Sequence, residues 1–188
     1  MKNQLIVYVA SAVVLCIVVF ILYSYNGEKE AIKPDRTEEI LSSIRAMKTW
    51  EFLTITREET IKREYNDLWG IGSKKQMRHV YTGRLKFGIN IDELPANCLK
   101  CHGDTAEITL PKIKLLSKDF IISDREEFNN GNFDDASFKI WRQKAAKKML
   151  ANCDNAETHR QARQNGEIAV RDFIRKFGYT TVKVSYNG

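Results

Sequence analysis

From Leu5 to Tyr23 the chain reads LIVYVASAVVLCIVVFILY, nineteen residues without a single charge. At 1.5 Å per residue a helix of that length nearly spans the roughly 30 Å hydrocarbon layer of a bilayer. The run therefore places the chain at a membrane and leaves the other residues to build one folded unit. It ends Tyr23-Ser24-Tyr25-Asn26, without the small residues of a secretory cleavage site, and it is longer than the apolar stretch of most signal peptides. The expectation is a retained, single-pass anchor over residues 1–25. Cys16 follows Leu15 rather than a small residue, so it reads as a packing side chain and not as a lipoprotein attachment point. Lys2 precedes the run, and Glu28, Lys29, Glu30, Lys33, Asp35 and Arg36 nearly cancel after it. The charge bias is slight. The usual habit of N-terminal anchors places the start in the cytoplasm and the rest in the periplasm, at a bacterial inner membrane.

Residues 26–36, NGEKEAIKPDR, hold Gly27 and Pro34 among charges and form a polar tether. The expected folded domain occupies residues 37–188. Thr37 opens a helix with Ile40, Leu41, Ile44 and Met47 on one face. Trp50 to Thr60 is β-branched and aromatic, and a loop around Leu68 to Gly72 leads to a second run near Met77 to Thr82. Gly83 marks a bulge or turn. Leu85, Phe87, Ile89 and Ile91 then alternate with Arg84, Lys86, Gly88 and Asn90, the pattern of a half-buried strand. Short strands are expected at Cys98 to Cys101, Thr105 to Leu110, Ile113 to Leu116 and Phe120 to Ile122, with a turn at Gly103-Asp104. Asp134 to Leu150 reads as a helix with Phe138, Trp141, Ala145 and Met149 on one stripe. A second helix from about Asn155 to Phe177, with Ala162, Ala169, Phe173 and Phe177 on its face, stops at Gly178. Val182, Val184 and Tyr186 alternate along a final strand. The fold class is α+β: a transmembrane helix, a mostly antiparallel sheet, two C-terminal helices and a last strand.

The formal net charge of +6 is concentrated late in the chain. Between Lys139 and Lys176 ten basic residues face four acidic ones. A solvated helical face is the plainest explanation. Attraction of Lys144, Lys148, Arg171 and Arg175 to anionic lipid or an acidic protein partner comes next, and nucleic acid is not expected beside a periplasmic anchor.

Several motifs occur in a fixed order: Tyr81-Thr82-Gly83, Gly88-Ile89-Asn90-Ile91-Asp92, Gly103-Asp104-Thr105 before Ile108-Thr109-Leu110-Pro111, Ile113 to Ser117, and Phe177-Gly178-Tyr179. On these, from about Ile40 to Tyr186, the chain resembles a bacterial family catalogued as domain of unknown function 4230. The resemblance implies a single N-terminal membrane helix, a β-rich region and a helical C-terminal part. It carries no catalytic or binding residues to transfer.

Cys98-Leu99-Lys100-Cys101-His102 matches the attachment pattern of c-type haem, two thiols for the vinyl groups and a histidine for iron. The segment runs into the Gly103-Asp104 turn, and an extended backbone would splay the thiols, so no cofactor is expected there. A membrane-anchored monohaem electron carrier using Cys98, Cys101 and His102 is the alternative. Cys98 and Cys101 could instead pair with each other, or either with Cys153, in an oxidising compartment. A zinc site from Cys98, Cys101, Cys153 and His159 has suitable ligand types, but 51 residues separate its halves, and no metal site is expected. His79, beside Val80 and Tyr81, reads as a half-exposed structural residue. No phosphate loop, HExxH or GxSxG occurs. The expected function is a non-enzymatic binding, scaffolding or envelope-associated module.

Overall fold

The computed structural model describes residues 16–20, 35–65, 74–117, 119–131, 133 and 135–187. The chain divides into two units, Met1–Pro34 and Asp35–Gly188. In the first, residues 16–20 are helical, with Ile17, Val18, Val19 and Phe20 exposed. No helix among the described residues is long and apolar enough to cross a membrane. The span expected over residues 5–23 lies outside them apart from that one helical turn.

The second unit is α+β. Helix α1 (Thr37–Arg45) leads to two long strands, β1 (Thr49–Tyr65) and β2 (Lys75–Asn90), then a single 3-10 turn (Ile91–Glu93). Next come β3 (Leu99–His102), β4 (Thr105–Leu110), β5 (Lys114–Leu115) and β6 (Ile121–Asn129). Helices α2 (Asp135–Cys153) and α3 (Ala156–Arg175) precede β7 (Thr181–Tyr186).

These strands make two sheets rather than the one expected. The larger is antiparallel, with β1 on one edge of β2 and both β5 and β6 on the other. The smaller is β3-β4-β7, and its β4–β7 pair is parallel because α2 and α3 form the crossover between them. Every other strand pair among the described residues is antiparallel, in keeping with the mostly antiparallel expectation.

Alternation along β2 decides the inward face of the large sheet. Met77, His79, Tyr81, Gly83, Leu85, Phe87 and Ile89 are all buried, and α2 and α3 pack against β1 and β2. The outward face presents Thr54, Thr56, Glu58 and Lys62 to solvent. The two runs expected on either side of Gly83 are one continuous strand. Gly83 keeps its pairing with Arg57, while the register with β6 shifts between Thr82 and Gly83. The glycine serves packing, since a Cβ there would lie 2.6 Å from Met149 Sδ on α2. Gly88 lets β1 approach even closer, with Trp50 O 2.0 Å from where a Cβ would sit.

Helix α3 starts on Asn155, whose side-chain oxygen accepts from Thr158 N at 3.0 Å. Its buried stripe is Thr158, Ala162, Gly166, Val170 and Ile174. Ala162 belongs to the expected stripe as well, and Ala169, Phe173 and Phe177, though only partly buried, pack against the same core. Trp50 and Phe173 meet edge to face at 5.3 Å and fix α3 over the sheet.

Candidate functional site

The connection between β4 and β5 carries Lys112 and Ile113 towards the first turns of α3. Together with Ala156, His159, Arg160 and Arg163 they line a depression of about 320 Å³. His159 is held at its rim, with Nε2 2.6 Å from Asp154 Oδ1 and the ring edge-on to Phe87 at 5.6 Å. Arg160 pairs with Glu157 at 2.6 Å. The Arg163 guanidinium sits 4.9 Å over the Tyr186 ring, and Tyr186 Oη donates to Arg163 O at 3.1 Å. Burial, and then the Glu167 carboxylate, push the Tyr186 phenol above its usual range, so it stays a donor at any working pH. Lys112 makes no ion pair among the described residues. Lys112 thus brings a cation without an ion pair among the described residues to a concavity lined also by Arg160 and Arg163 at a helix N-terminus, which favours an anionic guest. Sequence reasoning missed Lys112, because only the folded approach of the β4–β5 connection brings it to α3.

The cysteine and histidine residues singled out by sequence do not gather at one point. Cys98 is in the core at 2 % exposure, and burial pushes its thiol up. Leu99 and Cys101 point inward along β3, opposite Ile108 and Ala106, whereas Lys100 and His102 are exposed. Alternation therefore puts Cys101 and His102 on opposite faces of the hairpin. Gly103, at φ +53°, makes the turn that follows. Cys101 lies beside Tyr179, whose phenol burial and that thiol both push up. Cys16, Cys98, Cys101 and Cys153 are all free thiols. Among the described residues no three His, Cys, Asp or Glu side chains are placed to hold a metal ion, so the four zinc candidates are not brought together.

His79 is buried, at 6 % exposure, and not half-exposed. Its Nε2 lies 2.6 Å from Asp124 Oδ2, and its ring packs on Tyr81 at 4.7 Å and Phe138 at 5.4 Å. Its Nδ1 is buried without a hydrogen-bond partner. Donation from Nε2 to the carboxylate ties β2 to β6 under α2, a structural task.

The four basic residues expected to meet an anionic partner are sorted by the fold. Lys148 Nζ is 2.7 Å from Glu59, Arg175 is 3.6 Å from Asp172, and Arg171 is 3.7 Å from Glu167 and donates to Val182 O. Only Lys144 makes no ion pair among the described residues.

The family model described as "Protein of unknown function (DUF4230)" matches residues 42–184, from within α1 to β7. The chain belongs to this family. The DUF4230 match thus covers both sheets, the concavity and the cysteine hairpin. No curated protein and no solved structure matches the chain.

Proposed function

We propose that this DUF4230 chain is an anchored, extracytoplasmic module of a bacterial inner membrane that binds an acidic protein segment and catalyses no reaction. The observation that carries the reading is the basic concavity of Lys112, His159, Arg160 and Arg163. Its size suits two or three carboxylate side chains rather than a large cofactor. The uncharged run from Leu5 to Tyr23 supports the anchor. The hairpin geometry supports a module without haem, since Cys98 faces the core and His102 turns away from Cys101.

Two measurements test this reading. Alkaline phosphatase fused after Gly188 should be active in a bacterial host, and an inactive fusion would put the domain in the cytoplasm. Calorimetric titration of the detergent-solubilised chain should show hexaglutamate binding that weakens with salt and is absent with hexaglutamine. Lys112→Gln with Arg160→Gln, both exposed, should abolish it. Binding unchanged by that double substitution would refute the site.

A further inference from the structure

Residues 136–153 of α2 contain five basic side chains and no acidic one. The fold divides them. Arg142 Nη2 is 3.2 Å from Asp119 and donates to Ile121 O at 2.9 Å, and Lys148 is held by Glu59. Lys139, Lys144 and Lys147 are exposed and make no ion pair among the described residues. At 3.6 residues per turn, Ile140, Lys144, Lys147 and Ala151 fall within about 60° of arc, and Lys139 lies about 80° beyond Lys147 on the same exposed side. Ile140 is 59 % exposed, while Trp141, Ala145 and Met149 bury the opposite side. Like charges one turn apart repel, so this face works against the isolated helix. No described residue pairs with its three lysines.

We infer that the outer face of α2 lies on an anionic bilayer surface, with the three ammonium groups at the lipid phosphates and Ile140 entering between the headgroups. The inference rests on the anchor proposed above and is separate from the concavity on α3. The tether of residues 26–36 reaches at most about 40 Å when extended, so lipid is always within range of the domain. A flat, uniformly charged surface suits lysines spread over two helical turns, whose long stems can lie along it while their heads stay wet. An acidic protein would have to be recruited to the same place. The bilayer is already there.

The test uses the full chain in lipid nanodiscs of phosphatidylcholine alone or mixed with phosphatidylglycerol, each carrying a doxyl-labelled quencher lipid. A fluorescent amino acid replaces Gln143, exposed beside the lysines, or Gln161, exposed on α3, as a control. Each lysine contributes about fivefold near an anionic surface, and the three together about 100-fold, to the ratio of lipid-contacting to free domain. Quenching at position 143 should therefore appear only in the anionic discs, fade with added salt, and vanish in Lys139→Gln/Lys144→Gln/Lys147→Gln. Circular dichroism of that triple variant should match the unsubstituted chain. Equal quenching in both lipids, undiminished quenching in the triple variant, or equal quenching at position 161 would overturn the inference. A chain that fails to co-purify with discs would instead refute the anchor, and this inference with it. An incorporated chain showing no quenching would refute the α2 contact alone.

Discussion

Replacing Gly88 with alanine puts a methyl group where β1 already lies. Gly88 opposes Glu51 next to the register shift between Glu51 and Leu53. The new Cβ would be 2.0 Å from Trp50 O, 2.9 Å from Trp50 C and 3.0 Å from Glu51 Cα. Unstrained carbon contacts sit near 3.5 to 4.0 Å, roughly, and all three obstacles are backbone atoms that no side-chain rotation can move. Overpacking ordinarily costs about 1–3 kcal/mol. Here the strand itself must shift by more than an ångström or so, which adds about 1 kcal/mol for each ladder hydrogen bond lost. The expected total is about 4 kcal/mol, a fall in Tm of about 8–16 °C for a chain of this size. Gly83→Ala is the internal control. Its closest obstacle is Met149 Sδ, in a flexible side chain that can swing aside, so its cost should stay near about 1 kcal/mol and 2–4 °C. Thermal unfolding followed by circular dichroism on the detergent-solubilised chain gives both numbers. A Gly88→Ala protein melting within about 2 °C of the unsubstituted one, or Gly83→Ala proving the worse of the two, would refute the close approach of β1 and β2.

Acid should unfold the domain partly through Glu51. The Lys86 ammonium donating to it at 2.7 Å, then Thr54, hold its carboxyl below the ordinary value of 4.5. The pair's contribution is therefore complete above pH 4.5 and drains away as pH falls through the lower folded value. Glu51→Gln should flatten that limb of the Tm-against-pH curve, and superimposable acid limbs would show that the pair contributes nothing. The cysteine hairpin gives a mass prediction. Chain produced with the cytochrome c maturation machinery should keep its bare mass and show no Soret band. A gain of roughly 600 Da that disappears with Cys98→Ala would make the chain a haem carrier.

Much of the second unit was legible because its elements carry their own periodicity. Ile40, Leu41 and Ile44 mark α1, and Leu85, Phe87 and Ile89 mark the inward face of β2, since burial on one side leaves a pattern of fixed period in the residues themselves. The sequence predicts a three-residue strand at Phe120 to Ile122, whereas β6 has nine residues. After Ile121 every one of its residues is exposed, so Ser123 to Glu127 carry the composition of a charged loop, and only pairing with β2 makes them a strand. Gly83 looked like punctuation for a related reason: a glycine that admits a methionine from another element is indistinguishable, in sequence, from one that turns the chain. The concavity was harder still. Its basic residues were visible as a surplus along α2 and α3, but which cations are spent on Glu59, Asp119 or Glu167 and which stay available depends on contacts between segments far apart in the chain. Lys112 had no signal beyond following Pro111.

The pairing of β7 with β4 has a consequence for how the domain is made. Thr105 pairs with Thr181 and Leu110 with Tyr186, so the centre of the small sheet waits for residues delivered after both long helices. A chain threaded N-terminus first presents β3 and β4 as a lone hairpin, with one β4 edge and the apolar side chains of Ala106, Ile108 and Leu110 uncovered, for the whole time that α2 and α3 are still arriving. Non-local parallel pairing forms slowly and exposes unpaired edges meanwhile. The vulnerable period of this protein is thus the last stage of its delivery. Chaperones that hold extended, unpaired strands should matter to its yield far more than its finished stability would indicate.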